Sequence, residues 1–366
     1  MKNSLCICFD LGYNETLKHF LPTAYIVKND SNKLMYVEKI ATSETIKSYG
    51  IIPNETTLQL IQIAEFLKFE ALNKKYSTNK KIKTGLAELI KDKATAKVIN
   101  QFIESKTQFF LQIAAKNNVP ICVNLNREIP FHSQQISFSD VALQSKLHFE
   151  KKENGVFYTL YLTNQKKIFH PCEKNVTPVL NMPAWVVVDK IMYNLNEINA
   201  NKLNPFLTKK TVEIDQKNVN VYFQTFIKDI VNKVEIEAVG FDVFQNTEIS
   251  NCRIVPCLYF ISDTYYFDLV FDYQDVTFSF KDTRKLSSQL ILGDEIKVIQ
   301  TKRNFDAEQK WIEKLESLGL KINDYGFFSF DVTHKYQNIL QLINEVTSFE
   351  NKGFVIENLM VENKKI

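Results

Sequence analysis

Two short segments carry residue types that bind metal ions elsewhere. His170 and Cys172 stand on either side of a proline and offer an imidazole and a thiol, both of which are zinc ligands. A zinc site needs four ligands, or three and a water, and the sequence has no second close pair to complete this one. Asp294 and Glu295 follow a glycine and resemble a magnesium-binding acidic pair. We interpret them as a turn, because no phosphate-binding loop precedes them.

The glycines do not form a nucleotide-binding loop. A phosphate-binding loop has the pattern Gly-x-x-x-x-Gly-Lys-Ser/Thr, and a dinucleotide site has Gly-x-Gly-x-x-Gly. None of the nine glycines stands in either pattern. The cysteines and histidines show no local signature of a Cys/His nucleophile. We therefore predict no catalytic residue, no metal and no cofactor in this chain, which by itself is not an enzyme.

Three short basic pairs could hold nucleic-acid phosphates. They are Lys209-Lys210, Lys302-Arg303 and Arg284-Lys285, but lysines are common on protein surfaces, so each pair is also explained as ordinary solvated surface. The net charge is only +3 over 366 residues. Four of the 45 basic residues are arginines, so few side chains can bind a phosphate through two parallel hydrogen bonds. We expect weak binding of duplex DNA without sequence preference, through Lys209, Lys210, Lys302 and Arg303.

The cysteines and the N-terminus both favour a cytoplasmic protein. The six cysteines form no Cys-x-x-Cys pair and most have apolar neighbours, so we predict free, mostly buried thiols. Asp10 interrupts the first apolar run, which is then too short for a signal peptide. No stretch approaches the roughly 20 apolar residues that span a bilayer. We expect no membrane contact.

The length and the periodicity predict the elements that position these residues. A chain of 366 residues with 45% hydrophobic residues is long enough for more than one core. Helical spacing and period-two alternation together predict an α+β fold, with a helical N-terminal part followed by antiparallel β-rich parts with interspersed helices. We predict domains at 1–115 and 116–366, the second divisible into 116–200 and 201–366.

Helical spacing of apolar residues predicts the main helices. They are expected at 56–73, at 85–115 with a break near Asp92, after Val219, from Asp306 to a stop at Gly319, and at the C-terminal end with Tyr336, Ile339, Leu340, Ile343 and Val346 on one stripe.

Period-two alternation predicts two hairpins. Asn154-Gly155 should form a two-residue turn with positive φ at both residues. Ser262, Asp263 and Thr264 should form the turn before a second strand, which ends at Tyr273. That strand should bury one face and leave the other wet. The residues expected on its buried face are Phe267, Leu269, Phe271 and Tyr273.

Several segments in order resemble one family. They are MPAWVVV (182–188), KLNPFLTKKTVEI (202–214), VEIEAVGFDV (234–243) and the run 266–320. This order is similar to the long N-terminal region of Swi/Snf-type DEAD/DEAH-box helicases of Bacteroidetes and similar bacteria. The family has an L-x-F-x-Y element, then R-(D/N)-x-x-x-E, then a helix ending L-x-x-x-G. The matching residues are Leu269, Phe271, Tyr273, Arg303, Asn304, Glu308, Leu315 and Gly319.

The resemblance implies a function that the residues alone do not. It covers most of 85–366, and its motifs are structural. In such helicases the ATP-binding lobes follow this region, and the chain ends at Ile366 before any such motif, so no catalytic residue carries over. The resemblance implies an accessory or regulatory region that contacts the helicase motor, in cis or in trans, and weakly the DNA. The alternatives are a stand-alone protein-interaction module, since aromatic residues anchor interfaces, and an enzyme with a dispersed site.

Overall fold

The structure, a computed structural model, has an α+β fold, as the sequence predicts. It describes residues 5–29, 35–77, 85–164, 167–195, 197–259, 264–292, 296–332, 335–357, 360–361 and 364–365. Among these residues, no helix has both the length and the apolar character needed to cross a bilayer.

The chain divides into two units. The first contains residues 1–147 and 158–213, and the second contains 148–157 and 214–366. These limits do not coincide with the predicted domain limits at residues 115 and 200. Residues 116–147 stay with the first unit because the strand at 121–123 pairs in parallel with the N-terminal strand.

A four-stranded sheet begins the first unit. Its strands are β1 (Leu5–Asn14), β2 (His19–Asn29), β3 (Met35–Ile40) and β4 (Ile121–Val123), in the order β3-β2-β1-β4. The neighbours β1, β2 and β3 are antiparallel, while β4 runs parallel to β1. Alternation along β1 sends Phe9 and Leu11 to one core and Cys8 and Asp10 to the opposite face.

Between β3 and β4, the described residues 41–77 and 85–120 form five helices. They are α1 (Thr45–Ser48), α2 (Glu55–Phe66), α3 (Phe69–Tyr76), α4 (Leu86–Leu89) and α5 (Lys93–Lys116). The helix predicted at 56–73 is broken between Phe66 and Phe69. The predicted break near Asp92 is confirmed, because the Asp92 side chain caps α5 by accepting a hydrogen bond of 2.8 Å from the Thr95 N–H. Residues of α2 and α5 pack in the core with Phe9 and Leu11.

Short elements follow, and two of them, β6 and β7, are shared by the two units because residues 148–157 belong to the second. They are α6 (Phe131–Gln134), β5 (Ser137–Phe138), β6 (Gln144–Lys152), β7 (Gly155–Thr163), β8 (Ile168–Phe169), a 3-10 turn (Pro171–Glu173), β9 (Thr177–Leu180), β10 (Ala184–Val188), β11 (Ile191–Leu195) and a 3-10 segment (Ala200–Phe206). Strands β5, β11, β10 and β9 form a second sheet in that order. All five residues of β10 are buried.

The predicted hairpin at Asn154 exists with a different turn. Glu153 and Asn154 occupy the turn, and the positive φ, 155°, belongs to Gly155 alone. A Cβ at Gly155 would overlap the carbonyl oxygen of Ile214. The glycine is therefore required by a close approach of two backbones rather than by the predicted turn type.

The remaining elements begin at the end of the first unit and continue through the second. They are β12 (Thr211–Asp215), a 3-10 turn (Gln216–Asn218), α7 (Val219–Tyr222), a π-helical segment (Phe223–Ile227), α8 (Lys228–Val231), β13 (Glu235–Val239), β14 (Asp242–Asn246), β15 (Asn251–Tyr259), β16 (Thr264–Tyr273), β17 (Val276–Ser279), β18 (Leu286–Leu292), β19 (Ile296–Lys302), α9 (Phe305–Ser317), β20 (Lys321–Ile322), β21 (Phe328–Ser329), α10 (Lys335–Asn351), β22 (Phe354–Ile356), β23 (Met360–Val361) and β24 (Lys364–Lys365).

These strands pair in four sheets. The orders are β12-β7-β6-β13 with β8 beside β7, β14-β19-β18, β20-β21-β16-β15-β22 with β17 beside β16, and the pair β23-β24. The predicted buried face of β16 is confirmed: Phe267, Leu269, Phe271 and Tyr273 are all fully buried. Ser262 and Asp263 of the predicted turn lie outside the described residues, whereas Thr264 is described and is the first residue of β16.

The core of the second unit lies between β16 and the last two helices. Leu315 of α9 and Ile339, Leu342 and Phe349 of α10 pack in one cluster with the buried face of β16. Helix α9 begins at Phe305, one residue before the predicted start, because Asn304 caps it by accepting from the Ala307 N–H at 3.1 Å. It stops at Gly319, as predicted, where φ is 90°.

The six cysteines are free, as predicted, and differ in accessibility. Cys6 is exposed, Cys172 and Cys257 are half-buried, and Cys8, Cys122 and Cys252 are buried. Burial raises the pKa of the Cys122 thiol to about 12 and raises that of Cys8 as well. Because the thiolate is the reactive form, the three buried thiols should react only when the protein opens.

We expect a thiol reagent to modify Cys6 first in the native protein. The three buried cysteines should react orders of magnitude more slowly, and all six should react after denaturation without reductant. Time-resolved thiol counting measures both phases, and Cys6→Ser should remove only the fast one. Fast native modification of Cys8 or Cys252 would contradict this assignment.

Candidate functional site

The first predicted basic pair lies at the surface. Lys209 and Lys210 are exposed in the loop before β12. The Lys210 ammonium forms an ion pair with Glu173, and this hydrogen bond raises the pKa of Lys210. A phosphate would have to compete with the Glu173 carboxylate for Lys210, so this pair offers a weak site.

The second basic pair is split between solvent and core. Lys302, at the end of β19, is exposed and lies 3.6 Å from a Glu235 carboxylate oxygen. The Arg303 side chain is 2% exposed and pairs with the Glu308 carboxylate. A phosphate cannot reach the Arg303 guanidinium in this fold without opening the core, so the predicted contact of Arg303 with nucleic acid has no accessible group here and stays a prediction.

Arg303 belongs to a buried polar network. Its Nε and Nη2 donate to the two Glu308 carboxylate oxygens at 2.8 and 2.5 Å, and its Nη1 donates to the Asp282 carbonyl. The Tyr273 hydroxyl donates to Glu308 Oε1 at 2.8 Å and accepts from the Asn304 N–H at 2.8 Å. Burial, and then the hydrogen bond to Glu308, raise the pKa of Tyr273 despite the opposing bond from Asn304. This arrangement holds the start of α9 against the end of β16.

The residues from which we expect a family resemblance meet in this part of the second unit. Leu269, Phe271, Tyr273 and Leu315 lie in one core cluster. Arg303, Asn304 and Glu308 are joined to Tyr273 by hydrogen bonds, and Gly319 ends the helix that carries Glu308. These residues stabilise a fold, and none of them offers an accessible reactive group.

A cleft in the first unit is the other candidate site. It has a volume of about 790 Å³, within the roughly 300–1,000 Å³ of small-ligand sites. Its walls are the β1–β2 hairpin, the region from α4 into α5, and β9 with the 3-10 segment that follows β11. The polar side chains that line it are Tyr13, Thr16, Lys18, His19, Lys91, Asn100, Glu104, Asn181, Asn201 and Asn204.

His19, Asn100 and Glu104 are half-buried in this cleft. Burial lowers the pKa of His19, and a hydrogen bond with the Asn100 side chain opposes that shift only in part. The imidazole is therefore neutral at neutral pH, with one nitrogen able to donate and one able to accept. Burial also raises the pKa of Glu104. The imidazole is a neutral hydrogen-bonding group, and the Glu104 carboxyl ionises less readily than an exposed one.

Sequence reasoning missed this cleft, although one signal was present. Ala96, Asn100 and Glu104 recur every four residues, so they share one face of α5. The two polar residues of this set, Asn100 and Glu104, would normally indicate a helix face in solvent, and only the fold shows that the hairpin and β9 lie opposite them.

The predicted absence of a metal site stays a prediction. His170 lies 4.5 Å from Tyr161, ring to ring, and Cys172 is half-buried in the 3-10 turn that follows. Over the part of the chain that the structure describes, no three His, Cys, Asp or Glu side chains are grouped so that they could hold a metal ion. Asp294 and Glu295 lie outside that part.

Comparisons with known proteins add no relative from which a role could be transferred. No protein-family model, no curated protein and no solved structure matches this chain.

Proposed function

We propose that this chain is a non-catalytic accessory region of a Swi/Snf-type DNA-dependent ATPase. It contacts the ATPase motor, in cis or in trans, touches duplex DNA only weakly, and acts in the cytoplasm. The observation that carries the proposal is the network of Tyr273, Arg303, Asn304 and Glu308. These residues lie in the run 266–320, one of the segments on which the helicase resemblance rests, and they form one hydrogen-bonded unit. A structural network without an accessible reactive group fits an accessory region.

Exposed apolar side chains of the second unit support contact with a protein. Phe244 on β14 is 55% exposed and Phe305 at the start of α9 is 52% exposed. Aromatic side chains are enriched at protein interfaces and supply much of their binding energy. We assign both phenylalanines to the surface that meets the motor.

The test combines the chain with the Swi/Snf-type motor encoded in the same genome. We expect the two to elute together and the DNA-stimulated ATPase rate to change when the chain is added. Phe244→Ala and Phe305→Ala should weaken the complex, with a loss of at least about tenfold for a residue that anchors the interface. Thr277→Ala, exposed in the same unit, is the matched control.

We expect the isolated chain to bind duplex DNA weakly. Arg303 is buried, so at most Lys209, Lys210 and Lys302 of the predicted set can reach phosphates. Three contacts correspond to a slope of log K against log salt no steeper than about −3, and Lys209→Ala should make it shallower by about 1. Fluorescence anisotropy with a labelled duplex across a salt series measures both.

Two outcomes would contradict the proposal that the motor is the main partner and duplex DNA the weaker one. An unchanged ATPase rate without co-elution, together with sub-micromolar DNA binding at physiological salt, would make the chain a DNA-binding module. Binding to another protein with no effect on any motor would favour a stand-alone interaction module.

A further inference from the structure

We propose that the cleft of the first unit binds an uncharged ligand through vicinal hydroxyl groups, either of a free saccharide or of the ribose of a nucleoside. This ligand site is separate from the proposed contact with a motor and does not depend on it.

Four different segments contribute polar side chains to the same cleft. The β1–β2 hairpin supplies His19, α5 supplies Asn100 and Glu104, and the segments after β9 and β11 supply Asn181 and Asn201. Ala96, one turn before Asn100, has a small side chain, so the wall that α5 forms leaves space in the cleft at that point. Residues from distant parts of the sequence therefore converge on one volume, as in ligand sites.

The chemistry of these side chains matches hydroxyl groups. A hydroxyl both donates and accepts, and a carboxamide or a neutral imidazole offers a donor and an acceptor side by side. The Asn181 side chain accepts from the Asn201 N–H at 3.0 Å, and the Asn100 side chain lies beside the His19 imidazole. The bond from Asn201 orients the Asn181 carboxamide before a ligand arrives, which lowers the entropy cost of binding.

The charges disfavour an anionic ligand such as a nucleotide. Glu104 lies in the wall, and a phosphate beside it would face repulsion or require its protonation. Lys91 is held by Glu88, with 2.5 Å between the Nζ and carboxylate oxygen atoms. Lys18 is exposed in the hairpin loop, so solvent screens its charge.

An aromatic surface stands beside the polar groups. The Tyr13 ring is 43% exposed and is supported by Phe20, with 5.2 Å between the ring centroids. A sugar presents a C–H face as well as hydroxyls, and a nucleoside presents a flat base, so either can cover this ring. The combination of polar wall and exposed ring fits a sugar-containing ligand.

The test is a titration of the full chain followed by amide chemical shifts and calorimetry. The probes are glucose, galactose, mannose, ribose, maltose, adenosine, 2′-deoxyadenosine and ATP. We expect at least one uncharged probe to bind with a Kd of about 1 mM or tighter, whereas ATP does not. Saccharide binding alone identifies a free sugar as the ligand. Binding of adenosine but not of 2′-deoxyadenosine identifies the ribose.

Variants separate the cleft from the rest of the surface. Asn100→Ala and Glu104→Gln should weaken binding at least about tenfold, since each removes or alters a hydrogen-bonding group. Gln101→Ala, an exposed carboxamide on the same helix outside the cleft, should have no effect. Asn204→Ala, an exposed lining residue that should not impair folding, should weaken binding if Asn100→Ala unfolds. Failure of every uncharged probe at about 10 mM, or equal binding by the cleft variants and the parent, would overturn the proposal.

Discussion

Replacing Glu308 by alanine should cost about 3–5 kcal/mol of unfolding free energy, the range for breaking a buried ion pair. Arg303 would keep its charge in the core without its carboxylate partner, since the side chain is 2% exposed. The Tyr273 hydroxyl would lose its acceptor as well. Urea denaturation followed by tryptophan fluorescence measures the change.

Two further variants distinguish this explanation from simple loss of packing. Lys302→Ala, beside Arg303 but exposed, should change the unfolding free energy by no more than about 0.5 kcal/mol. Arg303→Met combined with Glu308→Leu should recover most of the loss, because buried pairs can often be replaced by apolar residues of similar volume. A double variant as unstable as Glu308→Ala would show that the charge left alone is not the cause.

The same residues show why a basic pair in a sequence is ambiguous. Lys302 and Arg303 are adjacent and were both predicted to face phosphate, yet only Lys302 reaches solvent. Arg303 is buried because it pairs with Glu308, five residues later on the first turn of α9. Glu308 in turn accepts a hydrogen bond from Tyr273 of β16. The pairing depends on how β16 and α9 pack, which a local pattern does not encode.

Hydrophobic periodicity predicted the positions of helices and strands better than it predicted which face of each helix is buried. It placed the buried face of β16 correctly, because a strand offers only two faces and the apolar residues alternate strictly. In α10 it assigned Leu340 to the buried stripe, but Leu340 is 57% exposed while Leu342 is buried. The apolar residues of such a helix form two overlapping stripes, and either stripe could face the core. The elements that pack against the helix determine which stripe is buried.

The sequence patterns did not predict which strands pair when they lie far apart in the chain. The parallel pair β1–β4 joins residues more than a hundred positions apart, and no turn signal marks it. That pair and the helices before it form the scaffold on which the cleft is built. His19, Asn100 and Glu104 were therefore not grouped, although each is visible in the sequence.

Asp10→Asn should stabilise the protein at neutral pH, because the native fold holds this carboxyl in an unfavourable environment. Asp10 is 6% exposed on β1, and burial raises its pKa to about 6 from 3.8. The Leu125 N–H, which donates to Oδ1 at 3.0 Å, and the nearby Arg127 only partly oppose that shift. The asparagine carbonyl can still accept from Leu125 without a buried charge.

The sign of the pH dependence follows from the raised pKa. Between about pH 4 and 6 the folded state holds the Asp10 proton more tightly than the unfolded state, so folding is favoured at the acidic end. This contribution is lost as the pH rises to about 6, and a shift of about two pKa units corresponds to about 3 kcal/mol. That shift already includes the opposing attraction of Arg127, so about 3 kcal/mol is the upper limit of the gain expected for the asparagine variant.

The decisive measurement is the unfolding free energy of parent and variant from about pH 4 to about pH 8. The gain in unfolding free energy from Asp10→Asn should be smallest at the acidic end, grow with pH and level off above about pH 6. Above that pH the parent alone carries an ionised carboxylate at this buried position. Asp140→Asn, which neutralises an exposed carboxyl, should stay within about 0.5 kcal/mol of the parent throughout. An Asp10→Asn variant that is less stable than the parent at neutral pH would mean that the bonds from Leu125 and Arg127 outweigh burial, and that Asp10 is ionised in the fold because its partners favour the charge.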